Sequence, residues 1–151
     1  MELFLNGKSL GVKKNGKVVA RHQIETTGEA VALKLVPDME TWHADGKELM
    51  HVRIYAVDKK GRRVLNVKDA KAFGKLTFQV KGDANIVAVD NGNIASDELH
   101  IGKTQLEKSI QRNLFQGSAL VILRAGDKPG KIELSVAGEK MKAKKLVLNT
   151  K

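Results

Sequence analysis

The sequence predicts an all-β protein: an antiparallel β-sandwich of about seven to nine strands. Three observations carry this. Apolar residues alternate with polar ones at a period of two rather than 3.6. The alternating runs are short and separated by glycine-containing turns. The 151 residues are the length of one compact domain. Two sheets packed face to face bury one side of each strand and wet the other, which produces this pattern.

The strands follow in order. Val31, Leu33 and Leu35 alternate with Ala32 and Lys34. Over residues 48–58, Val52, Ile54 and Ala56 alternate with His51, Arg53 and Tyr55, and Asp58-Lys59-Lys60-Gly61 then reads as a turn. Leu76, Phe78 and Val80 stand against Lys75, Thr77, Gln79 and Lys81, apolar on one face and cationic or polar on the other. Ile86 to Asp90 is apolar on both faces, and Ala119 to Arg124 is nearly continuous in its apolar character. Ile132, Leu134 and Val136 alternate with Glu133 and Ser135, and Leu146-Val147-Leu148 is the last strand.

Three Asn-Gly pairs, Asn6-Gly7, Asn15-Gly16 and Asn91-Gly92, signal type I′ hairpin turns, whose two central residues need positive φ. One segment departs from the β pattern. Leu106, Ile110 and Leu114 recur every four residues, and Thr104 with Glu107 fits a capping box, so a short helix or helical turn is expected in the 103–116 connection. Its apolar stripe suits a lid on one end of the sandwich.

The charge balance is 27 Lys plus Arg against 17 Asp plus Glu, a net +10. A basic surface permits nucleic acid, an anionic membrane or an acidic polysaccharide as partner. The cations are spread along the chain, densest at Lys140, Lys142, Lys144 and Lys145, a spacing that suits one face of a strand. Much of the charge (Arg53, Lys75, Lys81, Lys142, Lys144) falls at positions expected to point outward, where it keeps sheet faces wet and edges unattractive to other strands. Aromatics are 4% of the chain, with one Trp and one Tyr, too few for the stacking platforms of single-strand binders, so no nucleic-acid partner is expected. No run approaches the roughly 20 apolar residues of a membrane span, and no membrane partner is expected. The first residues lack the basic and long apolar regions of a signal peptide.

Chemistry is sparse. The absence of cysteine removes disulfides, thiolate zinc sites and cysteine nucleophiles. His22, His43, His51 and His100 do not fall at metal-ligand spacing, and there is neither a nucleophile elbow nor a phosphate-cradling loop. No catalytic residue, metal or cofactor is expected. The densest polar cluster is Asp90-Asn91-Gly92-Asn93; it does not match a twelve-residue calcium loop, and turn chemistry accounts for it. Candidate ligand-contacting residues are Trp42, Tyr55, Asp90, Asn91 and Asn93, because aromatic rings stack on sugars and short polar side chains bond to hydroxyl groups. Trp42 has an equal alternative as a core residue between the sheets.

Met1-Glu2-Leu3-Phe4-Leu5-Asn6-Gly7-Lys8-Ser9-Leu10-Gly11 resembles a segment found downstream of the catalytic barrel in β-galactosidase-like enzymes of glycoside hydrolase family two. Residues 15–20 with Thr26-Thr27-Gly28 resemble the stretch that leads into their last domain. Leu33 to Asp38 with Ala44-Asp45-Gly46, then Val87 to Asn93, then Leu114-Phe115-Gln116-Gly117 before Leu120-Val121-Ile122 resemble that final immunoglobulin-like domain; the Ala-Asp-Gly segment is also similar to bacterial adhesion repeats. The chain departs in lacking strand residues between Lys14 and Asn15 and in a long connection from Ser96 to Phe115. The resemblance implies residues 1–27 as a remnant of, or linker from, a preceding immunoglobulin-like domain and residues 28–151 as the C-terminal sandwich. The catalytic glutamates of such enzymes lie on the barrel, which needs about 250 residues, so this chain is expected to be a non-catalytic accessory domain. Its implied partners are the other domains of the parent hydrolase, and the implied location is periplasmic or secreted in a bacterium. The alternative is a carbohydrate-binding module that tethers the parent to a polysaccharide.

Overall fold

A computed structural model describes residues 2–6, 9–23, 26–65, 73–101, 104, 106–139 and 141–151. In those residues the chain forms β1 (Glu2–Asn6), β2 (Ser9–Lys14), β3 (Lys17–Gln23), β4 (Ala32–Pro37), β5 (Leu49–Val57), β6 (Leu76–Lys81), β7 (Ala84–Asp90), β8 (Ser109–Arg112), β9 (Ser118–Ala125), β10 (Gly130–Gly138) and β11 (Met141–Thr150). β1, β2 and β3 form a sheet of their own. The other eight make an antiparallel sandwich, one sheet ordered β4-β5-β9-β7 and the other β11-β10-β6-β8.

The alternation in the sequence is the alternation in burial. Val52, Ile54 and Ala56 of β5, Val121 and Leu123 of β9, Phe78 and Val80 of β6, and Ile132, Leu134 and Val136 of β10 face each other across the core with 2% exposure or less. Each buried side chain of this size contributes about 1.5–3 kcal/mol. Trp42 belongs to the same core at 1% exposure, where its indole N–H donates to the Glu48 carbonyl at 3.1 Å. Beside it the chain end is tied down, with Lys151 N–H donating to Trp42 O and Ala44 N–H to Lys151 O, each at 2.9 Å.

Asn15 (φ 52°) and Gly16 (φ 77°) form the expected I′ turn between β2 and β3. The Asn6-Gly7 turn lies outside the described residues at Gly7. At Asn91-Gly92 the expectation fails: Gly92 alone takes positive φ, and β7 is followed by a connection that crosses to the other sheet. A pair of positive φ values occurs instead at Gln116 (48°) and Gly117 (67°), where Phe115 and Ser118 exchange both backbone hydrogen bonds at 3.0 Å.

The expected helix is also corrected. Among the described residues of 103–116 none is helical, and Ser109–Arg112 is β8, paired with β6 through Phe78↔Ile110. A spacing of four is a multiple of two as well as one helical turn, so Leu106, Ile110 and Leu114 suit a strand equally, and the open edge of β6 decides. Glu107 does reach back to Thr104 N at 3.3 Å as a capping box requires, without a helix following. Upstream, the connection covers the free edge of β7: Ile86 N–H donates to Glu107 O at 2.7 Å and Val89 N–H to His100 O at 2.8 Å. A smaller correction concerns Lys144. It is exposed, but opposite inward-facing Val136 it shares the side of Leu146 and Leu148, and Lys145 is the outward residue, bonded to Glu133 at 3.0 Å.

The turn after β5 is built around Asp58, which is 5% exposed. Its carboxylate accepts from Arg62 Nε at 2.8 Å, Gly28 N at 3.0 Å and Lys60 N at 2.9 Å. Burial works to raise this carboxyl, but the Arg62 guanidinium and the amides of Gly28, Arg62 and Lys60 outweigh it and hold it far below the usual carboxylate range. A depressed folded-state value means that the stabilisation is fully present above the unfolded value of about 4 and is lost as pH falls below it. Urea midpoints measured from pH 7 down to pH 2 should therefore fall below about pH 4–5. In Asp58→Asn they should start lower at pH 7 and decline less; equal slopes would contradict the assignment.

Candidate functional site

The outer face of the β4-β5-β9-β7 sheet holds a cleft that gathers residues singled out in the sequence. β5 presents Arg53 and Tyr55 outward, β9 presents Ser118 and Leu120, and β7 ends at Asp90. Register places Arg53 opposite Leu120, Leu120 opposite Asp90, and Tyr55 opposite Ser118, so these side chains lie in two adjacent rows. Together with Arg63, Asn91 and Gly92 they line an open cleft of about 340 Å³. The Arg63 guanidinium sits over the Tyr55 ring at 4.4 Å from its centroid, a cation–π contact of about 0.5–1 kcal/mol.

Of the five residues singled out in the sequence, the structure gathers Tyr55, Asp90 and Asn91 at this cleft. Asn93 lies further along the loop, accepting from Ala95 N at 3.1 Å and donating its own N–H to Asn91 Oδ1 at 3.0 Å. Trp42 is in the core and presents no surface to a ligand.

The Asp90–His100 loop is organised by a residue that the sequence reading did not single out. Arg112 of β8 is fully buried. One terminal nitrogen donates to Glu98 O at 2.7 Å, and the other lies 3.4 Å from both Asp90 Oδ1 and Asn91 Oδ1. Its Nε, 4.0 Å from Glu98 Oε2, has no hydrogen-bond partner, which costs about 1–3 kcal/mol. Asn91 Nδ2 donates to Asn113 O at 2.9 Å, and Asn113 Nδ2 donates to Glu98 Oε1 at 2.9 Å. Read as a strand, residues 110–114 place Arg112 on the inward side with Ile110 and Leu114. That parity was the available signal, and the helical reading hid it.

Asp90 accepts from Asn91 N at 2.6 Å and Gly92 N at 3.2 Å, with His100 Nδ1 at 3.2 Å. Burial pushes its carboxyl up, but those amides and the charges of His100 and Arg112 outweigh it and hold it below the usual range. Asp90 is therefore an anion at neutral pH, committed to its own loop. Among the described residues no three His, Asp or Glu side chains come together as a metal-binding group, and no helix is long and apolar enough to cross a membrane.

Residues 33–147 match the family described as glycoside hydrolase family 2 C-terminal domain 5. The β-galactosidase BoGH2A of Bacteroides ovatus is 32% identical over 164 aligned residues, covering 92% of this chain and 18% of that protein. Among solved structures, a β-glycosidase from Bacteroides vulgatus superposes with a TM-score of 0.74 at 25% identity, over 94% of this chain and 17% of that one. A glycosyl hydrolase family 2 member from Bacteroides cellulosilyticus shares the fold, with a TM-score of 0.73 at 24% identity over 93% of this chain and 18% of that one. The chain thus spans less than one fifth of the length of each of these relatives.

Proposed function

The chain belongs to the C-terminal domain 5 family of glycoside hydrolase family 2, and from that premise we propose that it is a non-catalytic, immunoglobulin-like accessory domain of a larger β-galactosidase-like enzyme. Its role is to pack against the rest of that enzyme, shaping access to the active site or supporting its assembly. The observation that carries this is the family match over residues 33–147 set beside the small share of the relatives' length that the chain spans.

Residues 1–27 are the linker from, or remnant of, the preceding domain, and 28–151 are the domain proper; a family match that starts at residue 33 supports that division. Relatives in Bacteroides support a bacterial setting, and a periplasmic or secreted location is part of the same proposal. Cations on both outer faces, Arg53 and Arg124 on one and Lys81, Lys131 and Lys145 on the other, speak against a single nucleic-acid patch.

The purified chain should hydrolyse nitrophenyl galactoside no faster than buffer does, and enzyme-like turnover would overturn the reading. The same preparation, titrated calorimetrically with a panel of neutral and acidic glycans, addresses the second reading, a carbohydrate-tethering module, which the clustering of Tyr55, Asp90 and Asn91 at one cleft favours. Binding that is lost in Tyr55→Ala would establish that module, and no binding across the panel would leave the packing role alone.

A further inference from the structure

The two outer faces of the sandwich differ in kind. On the β11-β10-β6-β8 sheet the outward positions of the two central strands are mostly polar or charged, Thr77, Gln79 and Lys81 of β6 and Lys131, Glu133 and Ser135 of β10, with Val147 of β11 an exposed apolar exception at the edge. That is the wet face expected of an antiparallel sheet. On the β4-β5-β9-β7 sheet one of the two central strands, β9, carries apolar residues on both sides. Ala119, Val121, Leu123 and Ala125 of β9 point into the core, and Leu120 and Ile122 point out, Ile122 opposite Ala88 of β7 and Leu120 opposite Arg53 of β5, whose other neighbour is Val36 of β4. Two-sided apolar strands belong to sheets covered on both faces, and the described residues leave Leu120 and Ile122 half-buried.

Charge points the same way. Lys34, Arg53 and Arg124 project from this face, and none has a side-chain hydrogen bond or ion pair with another described residue. The acids near them are engaged elsewhere: Asp90 with Arg112 and His100, and Asp38 with His51 at 3.1 Å. The face is therefore an apolar strip with unmatched cations around it, beside a cleft large enough to take a side chain.

We propose that the outer face of the β4-β5-β9-β7 sheet, centred on Leu120 and Ile122, is the surface by which this domain docks on the remainder of its own glycoside hydrolase polypeptide, which meets it with apolar residues rimmed by carboxylates. The proposal rests on the accessory-domain reading and goes beyond it in choosing the face. The occupant follows from two observations. More than four fifths of the matched relative lies outside the region that this chain covers, so a large partner is covalently at hand. The unmatched arginines and lysine call for an acidic rim, which fixes register and excludes wrong partners.

The chain contains no cysteine, which makes thiol labelling a direct test. Single cysteines replace Leu120, Ile122, Gln79 or Ser135, in this chain alone and in the complete hydrolase, and the rate of maleimide attachment at each site is read by peptide mass spectrometry. Leu120→Cys and Ile122→Cys should be labelled at least about tenfold more slowly in the complete enzyme, whereas Gln79→Cys and Ser135→Cys should react alike in both. Equal labelling of Ile122→Cys in the two proteins overturns the proposal, as does protection confined to Gln79→Cys and Ser135→Cys; the accessory role survives in the latter case with the other sheet as its face. Protection that arises only on adding an oligosaccharide also overturns it, because the occupant is then a glycan. Turnover of nitrophenyl galactoside by the isolated chain is a separate readout, and it alone would bring down the underlying reading.

Discussion

Gly117→Ala should lose about 3–5 kcal/mol of folding stability, the sum of a left-handed backbone and a steric clash. Gly117 has φ +67°, and a Cβ built there would stand 1.8 Å from the Val64 carbonyl oxygen. That contact is with backbone, so no rotamer change relieves it. The turn must open, and with it go the paired hydrogen bonds between Phe115 and Ser118 and the bond from Ala56 N to Gly117 O at 2.8 Å, which ties the turn to the end of β5. With a urea slope of about 1–3 kcal/mol/M, the midpoint should fall by more than about 1 M. Gly16→Ala is the control: the same region of φ (+77°) with nothing within 4 Å of the added Cβ, and a loss of only about 1 kcal/mol. Comparable losses in the two variants would show that the clash with Val64 is absent.

Arg112→Met should lose about 2–4 kcal/mol although the new side chain is apolar and of similar length. The substitution leaves the Glu98 carbonyl without its 2.7 Å donor and removes the charge that faces Asp90 and Asn91. Two readouts separate organisation of the loop from bulk packing. The Asp90 carboxyl, held low in part by Arg112, should titrate higher by NMR in the variant, and amides of residues 91–98 should exchange faster while those of β10 do not. Arg112→Lys should recover little, because one ammonium cannot span the Glu98 carbonyl and the Asp90 and Asn91 oxygens together. A variant that loses stability uniformly, with the Asp90 titration unmoved, would show that Arg112 only fills space.

Legibility followed from how local each cause is. Strands β5, β6 and β10 were readable because their inward faces are consecutive alternate residues, a pattern that contains the answer within one segment, and β9 as a short continuous apolar run. The turn at Asn15-Gly16 was readable for the same reason. The turn at Gln116-Gly117 was not, because its glycine is demanded by Val64, some fifty positions away. The 103–116 segment was misread because a four-residue apolar spacing satisfies two periodicities, and only the vacant edge of β6 chooses between them. Of the candidate site residues, Tyr55, Asp90 and Asn91 converge at the cleft, while Trp42 proved to be core, one of the two roles open to it from the sequence.

By itself the sequence determined the fold class, most of the strands of the sandwich and the kinship with glycoside hydrolase C-terminal domains, since these depend on periodicity and motifs written in contiguous residues. The tertiary structure decided which strands share a sheet, that Arg112 points inward to hold the Asp90 loop, and that one sheet is wet outside while the other carries an apolar strip. Those outcomes depend on which edge pairs with which, a choice made by hydrogen bonds and burial between residues far apart in the chain.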